Sequence, residues 1–289
     1  MAQKKGVLKK KVEQVDVKSK EKEPYEYTSL DGIMQEKASL AAEAQIYKLN
    51  KDGLLNEPVL LQSSTLLPTT RTKESTRRMI VIPNRLHTVK KTSILLVTRD
   101  PVDTFRIPLT EKTAVTTDSF TEIVGYKKFK SMVGTSKKAL KTHHEFDLIV
   151  IDHRLFKFLP TLLEPTIFCK SSQNFPLMVQ MAMPYSEAKR PHAKDDRVEP
   201  KYVQSQIKAW CKNTTFVPSI GPSLSIVVGH PGMTGIQIVE NIDAVLTFLT
   251  NKKFGPIGGV IEDGMNGVVD IHLRANDKAV PILKRSERS

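Results

Sequence analysis

Arg71, Lys73, Arg77 and Arg78 fall within or directly after the run Thr69-Thr-Arg-Thr-Lys-Glu-Ser-Thr-Arg77, which holds no apolar residue. Arginine forks and threonine hydroxyls both bond phosphate oxygens, so this spacing suits contact with a phosphate backbone. The plainer use of the same residues is a solvated loop whose charges add little to stability. A second set, Arg274, Asn276 and Lys278, stands near the C-terminal end of the chain. A third, Lys127, Lys128, Lys130, Lys137, Lys138 and Lys141, has the spacing of a solvated helix face.

Groupings that would do covalent or acid–base chemistry are weaker. The turn Gly229-His-Pro-Gly-Met-Thr-Gly235 resembles a phosphate cradle at a helix start, but it matches neither GxGxxG nor a Walker loop. Glycine and proline there are more simply the backbone needs of a strand-to-helix turn. Asp100 and Asp152 end two expected parallel strands, where α/β active sites gather. Each also stands where a carboxylate initiates a turn or caps a helix. His143, His144, His153, His230 and His272 show no ligand spacing, and Cys169 and Cys211 neighbour no base. No catalytic or metal site and no cofactor is expected, and the two cysteines read as small buried apolar residues.

The charge balance narrows the partner. With 44 Lys+Arg against 31 Asp+Glu the net charge is +13, a field that draws polyanions. No apolar run approaches the ~18 residues that a membrane span needs, and no basic amphipathic helix carries aromatic anchors. Nucleic acid is therefore the expected polyanion, with no membrane and no small-molecule substrate. The lysine-rich start lacks the apolar core of a secretory signal. Residues 1–24 are basic and aromatic-free through Glu23, the composition of a disordered arm, and Lys9-Lys10-Lys11 suits nuclear import.

Several elements must position these residues. Ile33, Leu40, Ala44 and Tyr47 recur at helical spacing between Leu30 and Leu49, ahead of a Gly53 stop. Pro58-Val-Leu-Leu-Gln-Ser63 and Arg78-Met-Ile-Val-Ile-Pro83 read as strands flanking the basic loop. Ile94 to Val97 and Phe146 to Ile151 are continuous apolar runs, as in strands buried on both faces of a parallel sheet. Leu177 to Met181 and Leu224 to Val228 are further strands. Val203, Ile207, Trp210 and Cys211 face inward from a helix opening at Pro200, and Val239, Ile242, Leu246 and Leu249 from one starting at Gly235. Two last strands are expected near Gly259-Val-Ile261 and Val268 to Leu273. Pairing the first strand with the last inserts the parallel middle between them, and would merge the Arg71 and Arg274 sets into one surface.

In this order the elements resemble the ribosomal protein L1 family, the RNA-binding proteins of the large subunit's mobile stalk. The resemblance rests on the strand–basic loop–strand ending Val81-Ile-Pro83, on Phe146-Asp-Leu-Ile-Val150, on Val228-Gly229, and on the helix Ile238-Val-Glu-Asn-Ile-Asp-Ala-Val-Leu246. Ile94-Leu-Leu-Val-Thr-Arg-Asp-Pro101, Cys211-Lys-Asn-Thr-Thr215, Phe248-Leu-Thr250 and Gly258-Gly-Val-Ile261 look most like the family's eukaryotic ribosome-assembly branch, found in the small-subunit processome of yeasts. The family's fold class is α/β: a discontinuous α+β domain, here 25–91 plus 177–289, with an inserted Rossmann-like three-layer α/β domain, here 92–176.

The resemblance implies a non-catalytic rRNA-binding assembly factor of the early small-subunit precursor, in the nucleus and nucleolus. Its partners would be precursor rRNA and other ribosome assembly factors. A large-subunit stalk-type protein or large-subunit precursor factor of the same fold is the nearest alternative. A nucleotide-binding enzyme using Gly229 to Gly235, and a protein-only scaffold, come from other classes. The family usually grips RNA through Phe-x-x-Thr at the start of its first strand and a Thr-Met-Gly turn after its last. Here those places read Leu55-Asn-Glu-Pro58 and Arg274-Ala-Asn-Asp-Lys278, which implies a different or looser grip.

Overall fold

A computed structural model describes residues 25–55, 57–72, 74, 76–164, 166–170, 174–184 and 195–285. The basic arm 1–24, Lys73 and residues 185–194 of the charged loop lie outside the described residues. In chain order the strands are β1 (Val59–Thr65), β2 (Arg78–Ile80), β3 (Ile94–Thr98), β4 (Glu122–Gly125), β5 (Leu148–Asp152), β6 (Leu177–Val179), β7 (Thr214–Phe216), β8 (Ser223–Gly229), β9 (Val268–Ala275) and β10 (Lys278–Lys284). The α-helices are α1 (Gly32–Lys51), α2 (Asp103–Thr110), α3 (Tyr126–Val133), α4 (Ser136–Glu145), α5 (Leu159–Leu163), α6 (Ile167–Lys170), α7 (Pro200–Lys212) and α8 (Gly235–Thr250).

The chain's two ends build an antiparallel sheet in the order β10-β9-β1-β8, backed on one face by α1 and α8. Val59 and Leu61, Leu224, Ile226 and Val228, and Ile271 and Leu273 alternate into this core, as the two-residue period of a half-covered sheet requires. α1 is capped by Asp31, whose side chain accepts from Met34 N at 2.8 Å. Its buried face is not the expected one. Ala38, Ala41, Ala42, Gln45 and Leu49 point inward, while Ile33, Leu40 and Tyr47 are 68%, 63% and 70% exposed, and Ala44 faces solvent with them. Small alanines let the helix axis lie close to its neighbours, where bulkier side chains would hold it off.

The middle of the chain builds a parallel sheet in the order β4-β3-β5-β6. Leu95, Val97, Ile149 and Ile151 enter one core, and Ile94, Leu96 and Val150 enter another on the opposite face. Both faces are thus covered, and the apolar runs are continuous for that reason. Leu177–Val179, expected in the discontinuous domain, instead pairs in parallel with β5 as the sheet's edge strand. α7 follows it, laying Val203, Ile207 and Cys211 on the core of Ile94 and Leu96. The insert therefore extends to about Lys212, because its second face needs both elements to be covered.

The two candidate strands around the basic run do not form a hairpin. β1 lies in the antiparallel sheet, whereas β2 pairs with β7 in a separate two-stranded ladder. Residues 259–261 form no strand; Gly259 turns there at φ 61°, and β10 takes the edge position instead. Cys211 is buried and its thiol is pushed up to about 11 by burial, but Cys169 is exposed, against expectation.

Candidate nucleic-acid interface

β1 and β9 are neighbours, yet antiparallel pairing separates the two basic sets. Val59 pairs with Ala275 and Thr65 with Val268. The 274–278 turn therefore sits at the start of β1, and the Arg71 loop leaves from its other end. Seven residues at ~3.3 Å each put roughly 20 Å between them. The expected single surface is two.

The first set is largely consumed by the fold. Arg77 donates from Nε to Thr215 Oγ1 at 2.9 Å and from Nη1 to the Phe175 carbonyl at 2.9 Å. Burial pushes its guanidinium down to about 10, still charged at neutral pH. It ties the insert, through Phe175, to the β2–β7 ladder. Arg78 donates to the Pro256 and Ile257 carbonyls at 3.1 and 2.9 Å and pairs with Glu74 at 2.9 Å. Arg71 alone of the described three is exposed. A run without apolar residues suggests a solvated loop, but Arg77 at its end and Arg78 just after it serve as clamps on the backbone.

The start of β1 gathers more cations than the sequence suggested. Asn276, at φ 50°, makes the tight β9–β10 turn, and Arg274 Nε donates to its carbonyl at 3.0 Å. Arg274 and Lys278 are exposed. The C-terminal end of α1 arrives here too, because buried Gln45 donates to the Leu273 and Lys278 carbonyls, each at 3.0 Å. That brings up Lys48 and exposed Lys51. Contact with the Lys278 side chain, with some burial, holds the Lys48 ammonium below the usual lysine range. The Lys48 and Lys278 ammonium groups repel, and a phosphate between them would relieve that repulsion. Lys48 and Lys51, in the last turn of α1, also offset the helix dipole.

The sheet face away from α1 and α8 continues this surface. Leu60 pairs with Arg274 and Val227, and Gln62 with His272 and Ser225, so a mixed row of polar and apolar side chains, half-exposed or exposed, alternates outward along three strands. Short hydroxyl and amide groups there can bond sugar and phosphate oxygens. Leu55, 62% exposed, and Pro58 stand at the same end. The two segments that depart from the usual family grip are thus brought together, and the basic side chains among them lie along one rim.

The enzymatic candidates resolve into structure. Thr234 caps α8 in a reciprocal box with Gln237, and a Cβ on Gly229 would lie 2.7 Å from Ile238 Cγ1. Asp152 is buried and caps its following 3₁₀ turn through Arg154 N at 3.0 Å. Asp100 accepts from Lys127 N at 3.1 Å, at the start of α3. Among the described residues no three His, Cys, Asp or Glu side chains converge as a metal site. Two buried polar residues of α8 carried no signal beyond interrupting its apolar face. Asn241 bonds the Asn84 backbone at both N–H and carbonyl, each at 3.0 Å, where the chain leaves for the insert. The Asp243 carboxylate accepts from Tyr25 Oη and from the backbone N–H groups of Thr28, Ser29 and Leu30.

A discontinuous α+β domain with an open sheet face and a basic rim, broken by a Rossmann-like insert, defines a two-domain α/β protein. The chain belongs to the ribosomal protein L1p/L10e family, whose model matches residues 11–276. It is similar to the ribosome biogenesis protein UTP30 of Saccharomyces cerevisiae, 32% identical over 68% of this chain and 69% of that one. It is also similar to two putative ribosome biogenesis proteins of Schizosaccharomyces pombe. C8F11.04 is 22% identical over 78% of this chain and 54% of its own length, and C306.07c is 24% identical over 77% and 69%.

Proposed function

We propose that this protein is a non-catalytic ribosome assembly factor that binds precursor rRNA in the early small-subunit pathway, in the nucleolus. The observation that carries the reading is the 32% identity to a yeast ribosome biogenesis protein across both domains. The basic rim of Lys48, Lys51, Arg274 and Lys278, with Asn276 shaping the turn, supports an RNA grip through phosphates and shape. Arg71 contributes as a separate outlying cation, and Arg77 and Arg78 act by holding the fold. The Gly229–Gly235 turn is spent on capping α8, which favours a structural role over a nucleotide site. In-cell crosslinking followed by RNA sequencing tests the proposal. Enrichment of precursor rRNA spanning small-subunit sequences is expected. Crosslinks confined to mature large-subunit rRNA would favour a stalk-type role, and none to rRNA would refute the proposal.

A further inference from the structure

Tyr126 and Phe158 meet at the C-terminal edge of the parallel sheet, with ring centroids 6.0 Å apart and planes tilted by 42°. Phe158 leaves 46% of its surface in water, more than any other phenylalanine among the described residues. Lys157 holds its ammonium 5.0 Å from that ring's centroid. Tyr126 opens α3, exposed Lys127 follows it, and exposed Lys130 lies one turn on along the same helix face. This cluster stands past the carboxyl ends of β4 and β5, where open α/β sheets bind their ligands.

Neighbouring cations are already engaged. Lys128 pairs with Glu122 at 2.5 Å, Arg154 with buried Asp152 at 2.5 Å, and Arg99 with Asp196. What remains is an aromatic pair ringed by Lys127, Lys130 and Lys157. Exposed aromatic faces set among lysines match unpaired nucleotides, whose bases stack while their phosphates meet ammonium groups. A duplex offers no such face, because its bases are already stacked on one another.

We propose that this edge of the insert binds single-stranded RNA, with one base stacked on Phe158 and adjoining phosphates held by Lys127 and Lys157. The proposal rests on the rRNA reading above for the nature of the polymer. It uses a different domain from the Arg274–Lys278 rim, so the two fail separately.

Fluorescence anisotropy of the full chain with labelled oligouridylate, and with a structured rRNA hairpin, tests it. Phe158→Ala should weaken oligouridylate binding by about 5- to 100-fold and leave hairpin binding unchanged. Phe158→Trp should restore it. Phe158→Leu keeps apolar bulk without a π face and should behave like alanine, which separates stacking from any loss of fold. Lys127→Gln with Lys157→Gln should flatten the salt dependence for oligouridylate alone. The proposal is overturned if the wild-type chain does not bind oligouridylate, if Phe158→Leu binds as tightly as wild type, or if tryptophan fails to restore affinity. Equal competition by polyglutamate would also overturn it, by assigning the edge to acidic protein segments.

Discussion

Removing the Arg77 guanidinium should destabilise the fold, although the side chain stands in a polar basic run. Arg77→Ala deletes hydrogen bonds to Thr215 Oγ1 and to the Phe175 carbonyl. Hydrogen bonds from a charged donor contribute roughly 1.5–3 kcal/mol each, and a buried carbonyl left unpaired costs about 1–3 kcal/mol. Against this stands the relief of no longer burying a cation whose partners here are a hydroxyl and a carbonyl, the same burial that pushes it down to about 10. The balance is a loss of about 2–3 kcal/mol. In a chain of this size that corresponds to a fall of roughly 4–10 °C in Tm, read by differential scanning fluorimetry at neutral pH. Arg71→Gln, an exposed change, should stay within about 0.5 kcal/mol. If both variants melt within ~1 °C of wild type, the clamp between insert and ladder is not formed in solution.

Other perturbations read different parts of the fold. Asp243→Ala strips the N–H groups of Thr28, Ser29 and Leu30 of their acceptor; about 3 kcal/mol of stability should go, with faster amide exchange at those residues. Burial first, and then the neighbouring His230 charge, hold His87 below 6.5, and burial likewise lowers His230. Both folded imidazoles resist protons that the unfolded chain accepts, so their contribution is present above pH 6.5 and is lost as pH falls below it. The drop in Tm between neutral pH and about pH 5.5 should shrink when both are changed to Gln. Replacing residues 88–211 by a short Gly/Ser linker should leave a soluble, cooperatively unfolding remainder, since Leu86 N already bonds the Lys212 carbonyl at 3.3 Å. Deleting only 92–176 should instead aggregate, because it strands Leu177, Val179, Val203 and Ile207 without their core.

The architecture was legible where periodicity and burial agree. β3 and β5 are continuous apolar runs because both faces are covered, and α8 shows its inner face as Val239, Ile242, Leu246 and Leu249. α1 misled because its largest apolar side chains face out and its alanines face in, a choice made by helix–helix distance. β6 was read as a strand, but three residues do not show which sheet they join, and β7, equally short, carried no pattern, so the end of the insert was misplaced. Chain order showed that the two basic sets flank neighbouring strands, but not that antiparallel pairing sends them to opposite ends. Lys48 and Lys51 were hidden as ordinary helix-end lysines until Gln45 fixed α1 against β9 and β10.

Everything proposed for RNA recognition by the discontinuous domain turns on the rim at the start of β1. The salt dependence of structured precursor-rRNA affinity tests that rim most directly, comparing wild type with Lys48→Gln, Lys51→Gln, Arg274→Gln and Lys278→Gln combined. The combined variant should bind more weakly, and its slope of log affinity against log salt should be shallower by about 0.7–0.9 for each phosphate that is no longer neutralised. Changing Lys112, Lys137, Lys138 and Lys141, all exposed on the insert, to Gln removes the same formal charge elsewhere and should leave the slope nearly intact. An unchanged slope in the rim variant, or an equal change in both, would contradict an RNA grip at the start of β1.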